Sequence, residues 1–454
     1  MKPYDPVFAA TPGTGLDYPE SYWAATAGTA PADDGPAPGA IDTDVAVIGG
    51  GYTGLSTAYH LAHRYGRQVT VLEANRPGWG CSGRNGGFAR MAFGRLSFGD
   101  MLARFGRDGA RQLFARTKDS LQNVRAMMRD GAIDCDASEA GYLKVAPKPS
   151  RAAALDAEAK LMQRELDYPA EFLSADVLQR DHLGGVRSHG ALRIPDAIAL
   201  HPMKLAFGVL RMARAAGAIV HSSSPVTSWR KDGATHLLST PSGTVRAKEV
   251  VIGTNGYTPD ALHPELSATL LPILSHIIVT RPMTDAEIVS ANFVTGHVLT
   301  DARKLTFYWR RLPDRRIMFG GRGLIGETPD RTARHCAFLA RELIDKYPSL
   351  EGIGIDYNWH GWVCFTRDFL PRIRSAADDP TVHYALGYQG SGVSLALYAG
   401  RLIAGRIAGR SADDRDAAPI EAASLPLQRI PAHRLLRIPQ RALYHWYRFL
   451  DRRA

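Results

Sequence analysis

The sequence predicts an α/β (α+β) fold in which a helix-covered parallel sheet, assembled from segments far apart in the chain, is interleaved with a second, antiparallel sheet. Three observations lead there. Strand, glycine turn and helix follow one another at residues 41–75 and again from Val382 to Gly409, VHYALGYQGSGVSLALYAGRLIAGRIAG. Between them a helix-then-strand block, His201 to Val226, precedes a buried-strand pattern, EVVIGTNGY, without a polar face. Last, LPILSHIIVT, KLTFYWRRL and RRIMFGGRG read as antiparallel strands, the latter two joined by the turn PDRR.

Taken in order, residues 1–40 are rich in Pro, Ala and Gly around the aromatic cluster YPESYW and read as an extended arm. VAVIGG is a strand, GLSTAYHLAHRYG a helix and VTVLEA a second strand, one βαβ unit. Residues 100–135 and 151–182 carry helical periodicity, with the strand GYLKVA between them, and a further helix covers Arg334 to Tyr347. The 454 residues, 45% of them apolar, exceed a single small core. We expect discontinuous domains: 41–100, 195–265 and 355–410 forming one, 101–194 and 266–354 the other, with a basic extension at 411–454.

The net charge of +10 is largely local, because Leu427 to Ala454 holds seven Arg against one Asp. That tail is read as a docking helix with snorkelling arginines, with a contact to acidic lipid or another subunit as the alternatives. The charge is not interleaved with an aromatic stacking platform, so no nucleic-acid partner is expected and an RNA-associated module is disfavoured. No stretch of 18 apolar residues and no amino-terminal apolar segment occurs. Cys81, Cys135, Cys336 and Cys364 lie far apart, so no metal site or disulfide framework is expected, and a cytoplasmic setting fits.

The chemistry starts at GGGYTG, where Gly49, Gly51 and Gly54 satisfy G-x-G-x-x-G directly after a strand. Gly49 permits the tight turn, Gly51 leaves room for a pyrophosphate and Gly54 lets the helix approach the sheet. Tyr52 and Thr53 then open a helix whose unpaired N–H groups face the phosphates. Glu73, 24 residues after Gly49 and followed by Ala74, is placed to accept both hydroxyls of an adenosine ribose, which argues against a 2′-phosphate. The alternative is a tight turn beside an incidental Glu. A second glycine cluster, GWGCSGRNGG, suits a cofactor extending past the pyrophosphate, FAD rather than NAD.

YPESYWAAT, DVAVIGGGYTGLS and LEANRPGWGCSGRNGG resemble the D-amino-acid-oxidase-like (glycine/sarcosine oxidase) flavoenzyme family, and within it the branch typified by γ-glutamylputrescine oxidase. The resemblance continues through HPMKLAFGVL, VVIGTNGYTP, YWRRLPDRRIMFGGRG, WHGWVCFTRDFLPRI and GYQGSGVSLALYAGRLIA, to about residue 410. It implies a Rossmann-like FAD-binding domain of glutathione-reductase type and an interleaved antiparallel-sheet substrate domain. It further implies that Gly49, Gly51, Gly54 and Glu73 hold the ADP half, that Ser82, Arg84, Asn85 and Gly86 follow the ribityl chain and ring, that Gly83, Gly87, Thr254 and Asn255 also belong to the cofactor site, and that Val226 gives backbone contacts to adenine, the alternative being a plain core valine. Gly390, Ser391, Gly392 and Val393 would bring a helix N-terminus to the ring, where it meets charge that builds on reduction.

Arg84 is a catalytic candidate, since a permanent cation stabilises a reduced anionic ring; the alternative is a salt bridge inside the glycine loop. Cys364 raises the question of covalent attachment, but its spacing from Thr366 and Asp368 is shorter than in relatives that use a cysteine, so FAD is expected to be non-covalent and the cysteine buried. Alternation along KLTFYWRR puts Leu305, Phe307 and Trp309 on one face and Thr306, Tyr308 and Arg310 on the other. Tyr308 is the favoured substrate contact and catalytic candidate, with Tyr257, His276, Trp362 and Tyr388 as further candidates and Lys304 as a lysine to assist reoxidation. The implied reaction oxidises the C–N bond of a γ-glutamylputrescine-like amine or an amino acid to an imine that water hydrolyses, with oxygen going to hydrogen peroxide. The alternative is a dehydrogenase passing electrons to a quinone or protein carrier.

Overall fold

The computed structural model describes residues 4–411 and 414–453, with the side chains of residues 452 and 453 outside the description. Its first sheet has eight strands. Five of them run parallel, in the spatial order Ile219–His221, Val69–Leu72, Gly39–Ile48, Gly243–Ile252 and Val382–Leu386, and Arg372–Ser375 adds an antiparallel edge. Val45, Val47, Val69, Val71 and Val251 face the helices Tyr52–Tyr65, Pro202–Ala215 and Gly392–Ile407, forming the larger core. Val69–Leu72 and Val382–Leu386 are buried throughout and Gly39–Ile48 from Val45 onward, as expected where helices cover one side and a second layer the other, whereas Gly243–Ile252 exposes Arg246 and Lys248 in alternation with buried Val245 and Ala247 before it too becomes fully buried.

The second sheet, also of eight strands, is antiparallel except where Val298–Asp301 runs alongside Tyr142–Val145. Its order is Ile355–Thr366, Leu270–Thr280, Ile317–Arg322, Tyr308–Arg311, Val298–Asp301, Tyr142–Val145, Ala191–Ile194 and Glu171–Leu173. Phe307, Trp309, Phe319 and Leu339 of the helix Pro329–Lys346 build its core, where the Trp309 indole N–H donates to the Tyr347 hydroxyl at 3.0 Å.

Three expectations are corrected. The strand Ile355–Thr366, grouped by the sequence with the first sheet, pairs over its length with Leu270–Thr280 in the second; both strands are long and apolar, so composition alone does not say which sheet takes them. The helical periodicity of 151–182 is broken: the helix Pro149–Leu166 ends at Asp167 in left-handed conformation, φ 49°, and the strand Glu171–Leu173 intervenes before the helix Ala175–Asp181. The amino-terminal arm is not merely extended, since Tyr22–Thr26 is helical and Trp23 is fully buried with its indole N–H on the Asn85 carbonyl at 2.8 Å.

Candidate active site

The strand Gly39–Ile48 delivers the turn, and Gly49 takes φ 105°, a conformation that glycine adopts without strain. A Cβ on Gly51 would lie 2.8 Å from the Ser82 hydroxyl oxygen, and one on Gly54 would collide with the Gly49 carbonyl. The Ser82 hydroxyl accepts from the Tyr52 N–H at 2.9 Å, tying the second glycine cluster to the start of the Tyr52–Tyr65 helix. Glu73 is spanned by backbone: Oε2 accepts from Gly50 N–H at 2.7 Å and Oε1 from Asn75 N–H at 2.9 Å. Burial pushes its carboxyl up, and those N–H donors oppose the shift.

These groups border a cavity of about 180 Å³. Ile48, Leu72, Val226 and Leu262, which share one apolar cluster, line it together with Ala10 to Pro12 of the arm; Glu73, Ala74, Gly49, Gly51, Tyr52, Thr53, Thr254, Asn255, Ser82 and Asn85 also border it, as do Gly390, Gly392 and Val393. An apolar wall, a carboxylate, a turn without side chains and a helix N-terminus around one space fit the adenine, ribose and pyrophosphate of FAD. Bordering the same space, the Gly392–Ile407 helix begins without a side-chain cap, and Gln389 Oε1 is a buried acceptor with no partner among the described residues. Both suit the polar edge of the ring.

Cys81, Asn85, Val363, Gln389, Gly390 and Val393 also line a second cavity of about 420 Å³, so the two spaces meet there. Arg84, Gly86 and Tyr308 stand at this junction. Among the described residues Arg84 makes no salt bridge: Nε donates to the Trp79 carbonyl at 2.8 Å, Nη1 to the His360 carbonyl at 3.2 Å, and the guanidinium lies 4.1 Å from the Trp79 ring centre. The Tyr308 hydroxyl lies 2.8 Å from Ser275 Oγ, and burial pushes its pKa up to about 12, so it stays protonated. Phe307 and Trp309 point into the core of the second sheet as the alternation predicts, whereas Leu305 lies before the strand and is buried in a separate cluster with Ile273, Phe365 and Tyr444.

The structure separates several other candidates from this junction. His276 lines neither cavity; its neighbour Ser275 faces the site, so strand alternation turns His276 away, where Nδ1 lies 3.1 Å from His335 Nδ1. For the same reason Trp362 lines neither, whereas Gly361 and Val363 do, and its ring packs with Trp79 and Tyr257 under Arg437. Tyr257 and Tyr388 line only the first cavity, on the cofactor side, and the Tyr388 hydroxyl is 2.7 Å from Thr53 Oγ1. Lys304 lines the second cavity from an exposed rim, its backbone N–H donating to Asp451 at 2.8 Å. Gly54, Gly83, Gly87 and Ser391 line neither space; Ser391 Oγ accepts from Gly94 N–H at 3.1 Å and donates to the Tyr388 carbonyl. Cys364 is buried and lines neither cavity, and burial pushes its thiol up to about 12.

Two residues at the junction were not picked out from sequence. Gln389, held with φ 58°, donates through Nε2 to Thr366 Oγ1 at 3.0 Å. Arg322, at the end of its strand, comes close enough that a Cβ on Gly390 would lie 3.5 Å from its Nη2. Only the G-Y-Q-G turn preceding a helix hinted at the first, and no local signal marks the second.

The model of the FAD dependent oxidoreductase family (DAO) matches residues 44–406. The chain belongs to that family. It is 33% identical to γ-glutamylputrescine oxidoreductase of Escherichia coli strain K12 over 431 residues, 94% of this chain and 96% of that one. Glycine oxidase of Bacillus licheniformis is 26% identical over 81% of this chain and 93% of its own. Among solved structures, glycine oxidase from Geobacillus kaustophilus superposes with a TM-score of 0.70 at 21% identity, covering 86% of this chain and 99% of that one. This DAO-family chain is therefore an FAD-dependent oxidoreductase.

Proposed function

We propose that the protein oxidises the C–N bond of an amine or amino acid, a γ-glutamylputrescine-like compound being one candidate, and passes the electrons to oxygen. The observation that carries this reading is the meeting of the two cavities at Gln389–Gly390, beneath Tyr308 and Arg322. A substrate in the larger space thereby reaches the end of the dinucleotide trough. When bound, FAD would supply a two-electron acceptor for the hydride on the carbon next to nitrogen, with oxygen as the final oxidant and hydrogen peroxide as its product. The chain supplies positioning: Tyr308 and Ser275 offer neutral hydrogen-bonding groups, and the nearby guanidinium groups disfavour a protonated substrate amine. The imine product is hydrolysed by water to a carbonyl compound and ammonia or an amine. An aerobic assay with γ-glutamylputrescine, simple amines, N-methyl amino acids and D-amino acids tests it. Stoichiometric peroxide and carbonyl product from one member is expected, and no peroxide from any member contradicts the oxidase.

One observation favours the second reading, a dehydrogenase. The helix Arg437–Arg453 exposes Ile438, Leu443, Trp446 and Phe449 beside Arg441, and its Asp451 anchors the cavity rim at Lys304 and Leu305. An apolar and basic face next to the mouth suits a carrier or an acidic membrane surface. Substrate-dependent reduction of a quinone analogue without peroxide would decide for that reading.

A further inference from the structure

The second cavity is far more cationic than a site for a simple amine requires. Arg90, Arg95, Lys144, Arg151, Lys304 and Arg322 all line it, and among the described residues none of them makes a salt bridge with a carboxylate. The lining acids are engaged elsewhere. Glu158 accepts from Phe98 N–H at 2.7 Å, and Asp301 is paired with Arg303 at 3.3 Å, which itself reaches Glu342 at 3.0 Å. Asp451 at the rim is occupied by the N–H groups of Lys304 and Leu305.

The cations stand close together. Arg90 lies 4.7 Å from the Tyr142 ring centre and Arg322 4.8 Å from that of Phe365, so both are steered by aromatic faces rather than by acids. Arg95 Nη2 donates to the Lys304 carbonyl at 3.3 Å and to Thr306 Oγ1 at 3.1 Å, leaving its other N–H groups unassigned. Removal from solvent, followed by repulsion from Arg95, lowers Arg322 to about 9, and Arg90 adds to that repulsion. Mutually repelling guanidinium groups in a partly enclosed space are costly unless an anion completes the site. Reduced cofactor and one substrate carboxylate would answer only part of this charge. The remaining wall is apolar, with Phe98, Met101, Phe114, Met162 and Leu192, room for an aliphatic body.

We infer that the substrate carries at least two acid groups, a dicarboxylic amine or amino acid, with the Arg90, Arg95 and Arg322 cluster receiving a carboxylate and Lys144 and Arg151 facing the remainder of the molecule. A planar fork of donors suits bidentate carboxylate binding, and several such groups reward the second charge rather than merely tolerate it. The inference rests on reading the second cavity as the substrate site.

The test measures, by calorimetry on the flavin-loaded protein, binding of glutarate against butyrate, and repeats it for Arg95→Gln and Arg151→Gln, with a melting curve confirming that each variant is folded. Glutarate should bind at least about tenfold more tightly than butyrate, and each substitution should narrow that gap by roughly threefold or more while higher salt narrows it further. Equal affinities, or a gap unchanged in both folded variants, would overturn the inference. Anaerobic addition of acidic and neutral amino compounds in parallel keeps the two claims apart. If neutral amines bleach the flavin and glutarate shows no preference, the amine chemistry stands and the diacid falls; if glutarate is preferred and no amine bleaches, the anion site stands and the amine chemistry falls.

Discussion

At the scale of single residues, Glu73 and Gly51 line the first cavity, whereas His276 is turned away from both. Glu73 is held between two backbone N–H groups with its oxygens at the cavity wall, so Glu73→Ala should lower FAD affinity about 10- to 100-fold, read as the flavin-to-protein ratio after gel filtration. His276 is fully buried, and burial, followed by repulsion from His360, lowers it to about 4. Its folded pKa lies below its unfolded value near 6.5, so the stability of the neutral form is present above pH 6.5 and is lost as pH falls toward 4. Thermal stability should therefore fall over that window by roughly 1.4 kcal/mol per pH unit for each such histidine, and His276→Asn should flatten the slope. Lys304 is exposed whereas Arg322 abuts Gly390, so we expect Lys304→Met to leave reoxidation within about twofold and Arg322→Met to slow it by tenfold or more, measured by stopped flow.

At the scale of elements, what was legible in the sequence was whatever a short contiguous pattern specifies. Gly49, Gly51, Gly54 and Glu73 sit within one βαβ unit, so their spacing alone places them around one turn. Tyr308 was placed on the correct side of its strand because Phe307 and Trp309 demanded the core. His276 and Trp362 were not, because a long strand apolar on both faces gives no parity signal, and a shift of one residue exchanges the faces. Gln389, Arg322 and the pair Arg90 and Arg95 come from three separate stretches, and only tertiary structure brings them to one cavity. The arm belongs here too. Ala10 to Pro12 border the adenine end, Gly15 N–H donates to the Ala74 carbonyl at 3.0 Å, and Asp5 pairs with Arg437 of the carboxy-terminal helix at 2.6 Å. Deleting residues 1–16 should raise the FAD dissociation constant about tenfold, followed by recovery of flavin fluorescence on release, with the melting temperature of the apoprotein little changed.

At the scale of the molecule, the interleaving of the two sheets is what creates the site. The parallel sheet presents the carboxyl ends of Gly39–Ile48 and Gly243–Ile252 to the dinucleotide trough, where ligands bind in open α/β sheets. The antiparallel sheet brings Ser275, Tyr308 and Arg322 to the trough's end from its own strands, and so the reacting space is walled by both. Neither sheet alone encloses it. The central claim, that an amine in the second cavity reduces flavin held in the first, is tested most directly by following the visible flavin spectrum of the purified holoprotein while amines and amino acids are added without oxygen. Bleaching by an amino compound, with colour restored on admitting air, is the predicted result. Bound flavin that no amine or amino acid bleaches, though dithionite reduces it, would contradict the account.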